Sequence, residues 1–302
     1  MANIIQVLLN SLRLGSIVAL ATLGIVLIFR TSKATNFAQG TIGTFNAYIA
    51  AYFSMNVGLS VWTSMLIAVV TAFITGVIID KLFIRPAAKA NPVSKQILTL
   101  GIILILVGIM NSSIGILNDV FPSVTIKPEP FFTAEYSVFG ARVGLNTLFI
   151  FGLTLFLMAI IFYIIQNTKW GLATRATASN EPIARLMGVP TKTITMFSWA
   201  IAAVLAAIAG IALAPRPGID VNLLLGVQIS AFFAAVFGGF NTFFGPVIAA
   251  FLLGFAISLG AFLFSQMRMS AIFSEIIIYT LVLVILYFKP FGLFGKQPVR
   301  KA

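Results

Sequence analysis

Apolar residues fill long unbroken stretches of this chain, and polar residues gather in short islands between them. Charged side chains are absent from 34–79, 96–118, 143–168, 193–215 and 221–267. Each interval reaches or exceeds the ~20 residues that carry an α-helix across the hydrocarbon core of a bilayer. With the glycine, proline and amide punctuation, the pattern predicts helical spans at 5–29, 38–55, 59–80, 96–117, 144–166, 194–214, 224–240, 245–264 and 272–288. The expected fold class is all-α: one polytopic membrane domain over 1–302, with about 8–9 transmembrane helices. Two spans carry interruptions. The first, 38–55, opens on Asn36, Gln39, Gly40, Thr41, Gly43, Thr44 and Asn46; the second, 224–240, ends in Gly238 and Gly239 and runs into Gly245-Pro246. Either fits a broken or re-entrant helix, which membrane depth tolerates only where protein or a water-filled cavity satisfies the freed backbone.

Two islands stand out. The loop 118–143 carries Pro122, Pro128 and Pro130 and an alternating Val124-Thr125-Ile126, which predicts turns and a short extended piece. The island 169–192 carries Lys169, Arg175, Arg185 and Lys192 against Glu181. Inside it Asn180-Glu181-Pro182 starts a helix, with a capping side chain followed by Pro where a missing N–H costs nothing. Gly188, before Val189, stops it, because glycine enters the left-handed C′ conformation without strain. Around Ala184, the residues Ile183, Leu186 and Met187 fall at i, i+3 and i+4, one apolar face of a helix too short to stand alone in water. Another protein is the expected cover.

Composition agrees with the membrane reading: 60% of the 302 residues are hydrophobic and only 9% charged, against about a quarter charged in soluble domains. The chain has no cysteine and no histidine, which excludes disulfides, thiol chemistry and an imidazole base or metal ligand. No cleavable signal segment is expected, since the start lacks a basic region and Arg13 interrupts the first apolar run. The formal charge of +12 reads as topology rather than as a nucleic-acid surface. Arg30, Lys33, Lys81, Arg85, Lys89, Lys95, Lys169, Arg175, Arg185, Lys192, Lys289, Lys296, Arg300 and Lys301 collect on one side of the spans. Lys127, Arg142, Arg216 and Arg268 lie on the other, with Asp119, Glu129, Glu135 and Asp220. The positive-inside rule makes the first set cytoplasmic. It puts 118–143 outside and both 169–192 and the tail 289–302 inside.

Candidate chemistry is sparse. Gly292 to Lys296 lacks the spacing and hydroxyl of a phosphate loop, so any ATP is hydrolysed by another chain. Glu275 is the one acid inside a span, near its outer end, and Asp80 sits at an inner end beside Lys81. A carrier coupled to ions or protons keeps titratable groups along its route, and this chain has almost none. No nucleophile and base pair points to an enzyme. The amides and hydroxyls Asn36, Gln39, Thr41 and Asn46, with Gly40, read equally as helix capping with close packing or as the polar lining of a solute path. At the Gly238-Gly239 break, packing or a hinge is favoured over solute contact. A similarity between 37–52 and 240–255 hints at an internal repeat.

Five strings then resemble one family: NSLRLGSIVAL (10–20), NFAQG (36–40), NEPIARLMGV (180–189), AAVFGGFNTFFGP (234–246) and KPFGLFG (289–295). In that order they are similar to the permease subunits of branched-chain amino acid ABC importers, over about 6–295, and more like the smaller of the family's two paired permeases. The resemblance implies a multi-pass protein of the bacterial inner membrane that works with a second permease subunit, two ATPase subunits and an extracytoplasmic solute-binding protein. It implies that 169–192 is the cytoplasmic coupling loop, with Asn180 to Val189 docking into an ATPase cleft, and that the permease itself holds no cofactor. It implies leucine, isoleucine or valine as solute. Urea, short amides or other amino acids stay open as alternatives, as does a self-sufficient secondary transporter.

Overall fold

The computed structural model describes residues 2–88, 90–112, 116–122, 125–138 and 140–295. Lys89, Lys296, Arg300 and Lys301 of the basic set lie outside the described residues, as do Val124 and Phe139 of the outer loop and the end of the 289–302 tail. In chain order the elements are α1 (Ala2–Ser32), α2 (Gln39–Met55), α3 (Val61–Ile79) with a π-helical turn (Asp80–Ile84), α4 (Pro92–Met110) and α5 (Ile116–Val120). A hairpin of β1 (Glu135–Val138) and β2 (Ala141–Gly144) precedes α6 (Leu145–Asn167), α7 (Lys169–Ser179) and α8 (Glu181–Leu186). The chain continues through α9 (Thr191–Leu213), α10 (Leu225–Gly238), α11 (Phe244–Gln266) and α12 (Ile272–Phe288).

From Leu14 to Phe29 helix α1 is apolar on nearly every side and forms the axis of the bundle, whereas its first turns set Asn3, Gln6, Asn10 and Arg13 along one face. Ile17, Leu20, Leu23, Ile25 and Leu27 are fully enclosed, and α6, α9, α10 and α11 ring the helix. A helical segment with no polar face belongs in the middle of such an assembly. Helix α9 is the second hub, packed on α1, α2 and α3. Lipid tails are as apolar as leucine, so helix association here rests on close packing and hydrogen bonds. Glycines make that approach: a Cβ on Gly254 of α11 would lie 2.6 Å from Gly15 N of α1, and one on Gly210 of α9 would lie 2.8 Å from Gly43 O of α2. Leucines and isoleucines of α4, α6 and α12 face outward, where bilayer or another membrane chain covers them.

Six helices among the described residues are long and apolar enough to cross a membrane: α1, α3 with its π turn, α4, α6, α9 and α11. Helices α2 and α12 have 17 residues each, and α10 only 14. At 1.5 Å per residue α10 spans about 21 Å, short of a ~30 Å hydrocarbon core. The interrupted span 224–240 is therefore a short helix ending at a glycine break. Three departures have local causes. Helix α4 ends at Met110 rather than 117 because Asn111 and Ser112 follow, and such side chains compete with the backbone ladder. The extended piece around 126 is a single bridge, Ile126 to Ile219. The β1–β2 hairpin was not expected; Gly140, with φ +79°, is the turn signal between its short runs. The two similar strings at 37–52 and 240–255 open α2 and α11.

Candidate functional site

Helix α1 stops because the chain leaves helical geometry at Lys33, φ +55°. It stays non-helical to Ala38 while still inside the bundle, so its polar groups need protein partners. Asn36 Oδ1 accepts from Ala38 N at 2.9 Å, an Asx-type turn, and Asn36 Nδ2 donates to Gln39 Oε1 at 3.1 Å. Gln39 Nε2 donates to Ala202 O of α9 at 2.8 Å. Phe37 N donates to Thr99 Oγ1 of α4 at 3.1 Å. From α10, Gln228 Nε2 donates to Phe37 O, and Gln228 Oε1 accepts from Gly40 N. Asn36, Gln39 and Thr99 are buried, and Gln228 is nearly so.

Beside this break lies a cavity of about 360 Å³ between α2, α4 and α10. Thr41, Thr44, Asn222 and Gln228 supply its polar wall; Leu100, Ile103, Val107, Leu225, Ile229 and Phe232 supply the apolar one. Among the described residues no charged side chain lines it. Of the path residues named from the sequence, Gly40 and Thr41 face this cavity. Asn36 and Gln39 brace the break behind it through the bonds above. Asn46 points instead at α3, where its Oδ1 accepts from Thr71 Oγ1 at 3.0 Å and its Nδ2 donates to Ile42 O at 2.9 Å.

Gly238 and Gly239 sit at the opposite end of α10. A Cβ on Gly239, φ +93°, would lie 2.8 Å from Gly295 Cα, and Leu293 N donates to Phe237 O at 2.7 Å. The glycine break thus seats the Phe291–Gly295 turn against α10. Sequence reasoning passed over Gln228 and Thr99. The available signal was a lone amide in the apolar run Leu225–Phe237, since a polar group inside a span asks for a partner or a task.

The second assembly is the basic face. Asn180 Oδ1 caps α8 by accepting from Ile183 N at 3.1 Å, and Pro182 lies in the first turn. At its end Gly188 has φ +81°; Gly188 N donates to Arg185 O at 3.1 Å and Val189 N to Ala184 O at 3.0 Å, a Schellman closure. Glu181 and Arg185 pair with each other at 2.7 Å, and Thr191 Oγ1 reaches Glu181 at 3.4 Å. Ala184 packs inward, whereas Ile183 is 56% exposed, Leu186 86% and Met187 79%. Lys33 Nζ donates to Ala178 O and ties α7 to the end of α1. Burial, then the neighbouring Arg30, lowers the Lys33 ammonium below the ordinary lysine value.

Asp80 is buried and pairs with Arg85 at 3.1 Å across the π turn, rather than with its neighbour Lys81. With Lys95, Glu181, Arg185 and Lys192 this pair lines a small polar chamber under α8. Glu275 is exposed in the first turn of α12, where a helix N-terminus favours an anion. Among the described residues no cluster of metal-ligating side chains occurs.

A family model described as branched-chain amino acid transport system / permease component matches residues 7–286. The high-affinity branched-chain amino acid transport system permease protein BraD of Pseudomonas aeruginosa is 28% identical, over 98% of this chain and 97% of that protein. A probable branched-chain amino acid transport permease protein, LivH of Methanocaldococcus jannaschii, is 28% identical over 93% of this chain and 89% of its own length. Among solved structures, PsaBC from Streptococcus pneumoniae in complex with Fab superposes with a TM-score of 0.50 at 15% identity, over 95% of this chain and 92% of that one. At that identity the likeness speaks for the fold alone.

Proposed function

This chain belongs to the family of branched-chain amino acid transport permeases, and from that premise we propose that it forms one half of the translocation path of an ATP-driven importer for leucine, isoleucine or valine. It is a multi-pass integral membrane protein, and its own contribution is a path and a coupling surface rather than bond chemistry. The partners in this reading are a second permease subunit, two ATPase subunits and an extracytoplasmic solute-binding protein. Solute released by the binding protein passes the charge-free cavity between α2, α4 and α10. The second permease closes the outward side of that cavity. ATPase closure moves α8, and α8 carries the bundle with it between outward and inward access.

The observation that carries this reading is α8 itself. Ile183, Leu186 and Met187 lie bare on the basic side of the molecule, on a helix of 6 residues closed by its own caps. Water offers no reason to hold three large apolar groups there, and a cleft in an ATPase does. Burying each is worth about 1.5–3 kcal/mol.

Purification with co-expressed partner subunits, followed by reconstitution with the binding protein outside and ATP inside, tests the assignment. Uptake should require both. Equal uptake by this chain alone, driven by an ion gradient, would overturn it.

A further inference from the structure

Gln228 of α10 lies at the wall of the cavity, where α10 meets α2, and bonds two backbone groups at the α1–α2 break. Its amide nitrogen donates to Phe37 O, and its amide oxygen accepts from Gly40 N. Neither backbone group belongs to the regular ladder of a helix: Phe37 precedes α2, and Gly40 N is one of the first-turn donors that a helix leaves free. One side chain thus presents a donor and an acceptor, joined through a single carbon, to an acceptor and a donor on the backbone. The ammonium and carboxylate of an α-amino acid present the same pair, joined through two carbons. Gly40 leaves room for this close contact: a Cβ there would lie 2.7 Å from Gln228 Oε1 and 3.0 Å from Leu224 O. The remainder of the cavity suits the remainder of such a solute. Leu100, Ile103, Val107 and Ile229 form an aliphatic wall, and among the described residues no charged side chain competes for the zwitterion. Unwound backbone at membrane depth, facing a cavity, is the setting in which transporters hold small solutes.

We propose that Gln228 is an internal stand-in for the solute: the Phe37 carbonyl and the Gly40 amide form the head-group site for an α-amino acid zwitterion, and the Gln228 carboxamide fills that site when no solute is present. Solute entry displaces the carboxamide, and its return displaces the solute. The site is therefore selective for the head group while retaining nothing tightly. This inference rests on the reading of the α2–α4–α10 cavity as the path, and the test separates the two.

The complete complex, in nanodiscs and without binding protein, is incubated with an equimolar mixture of l-amino acids, and retained solute is identified by mass spectrometry. Wild type should retain little. Gln228→Met keeps the length of the side chain and loses both bonds, so it should retain at least ten-fold more branched aliphatic amino acid while its ATP-driven turnover falls. Gln228→Glu is near-isosteric. It still accepts from Gly40 N but cannot donate to Phe37 O, and its negative charge repels a carboxylate. With isopentylamine added to the mixture at the same concentration, it should retain the amine in preference to leucine, a switch that a merely structural glutamine would not produce. Equal retention by wild type and Gln228→Met, with no switch in Gln228→Glu, would overturn the stand-in. Thr44→Trp, which fills the cavity, reports on the path separately. If it blocks uptake while the Gln228 variants behave as wild type, only the stand-in fails. If it transports normally, the path reading fails with it.

Discussion

Gly40 shows how little space separates the two helices that meet at the break. Any side chain there runs into Gln228 and the Leu224 carbonyl, and forcing atoms into such a contact costs about 1–3 kcal/mol. Gly40→Leu should therefore abolish uptake by filling the mouth of the cavity, while the subunits still co-purify; normal transport would leave the cavity without a role. Gly239→Leu should act differently. Its φ of +93° and its contact with Gly295 concern the seat of the C-terminal turn, so partial uptake with reduced heat stability of the complex is expected. The amides near Gly40 were visible in the sequence as polar groups at membrane depth. Their division of labour was not. Whether Asn36 faces a cavity or turns back to Ala38 N depends on one side-chain rotation, and whether Gln39 finds Ala202 depends on α9 lying beside it, which no local pattern encodes. Gln228 was missed for the same reason: its partners are nearly two hundred residues away in the chain.

Local rules served best where an element is closed by its own residues. Both ends of α8 follow from Asn180, Pro182 and Gly188, because capping bonds span only three to five positions. The outward direction of its apolar face was legible too, since nothing nearby in the chain could cover it. The polar pair was less so: Glu181 and Arg185 bind one another at 2.7 Å and are satisfied before any partner arrives. Exposed i,i+4 pairs contribute only ~0.3–0.5 kcal/mol, so the docking strength should come from the apolar face. Leu186→Asp would place an unpaired charge in that contact, at a cost of several kcal/mol. It should uncouple ATP hydrolysis from uptake, or release the ATPase, with the membrane bundle intact by size-exclusion profile. Wild-type uptake together with wild-type ATPase retention would remove α8 as the coupling element. The length of α4 and the hairpin were harder to read, because each end is set by a hydrogen-bond competition worth about 1 kcal/mol.

At the scale of the whole molecule, the order of spans was readable because the bilayer imposes one strong rule, apolar length, on every crossing. How the spans pack was not readable, since all of them are apolar on most sides and only scattered glycines mark the contacts. Sidedness lies between these cases. It rests on the charge asymmetry, and the structure adds that Arg30, Lys33, Arg175 and Arg185 gather at one end, whereas the β1–β2 hairpin and Arg216 lie with Arg13 at the other. A chain without cysteine makes this directly measurable. Arg185→Cys and Tyr136→Cys both replace exposed side chains, one on α8 and one on the hairpin. An impermeant maleimide applied to intact spheroplasts should label the Tyr136→Cys protein and leave Arg185→Cys unreacted until the membrane is permeabilised. The reverse pattern would invert the whole bundle. It would place α8 outside the cell, where no ATPase could reach Leu186 and Met187, and the coupling assignment would fall together with the topology.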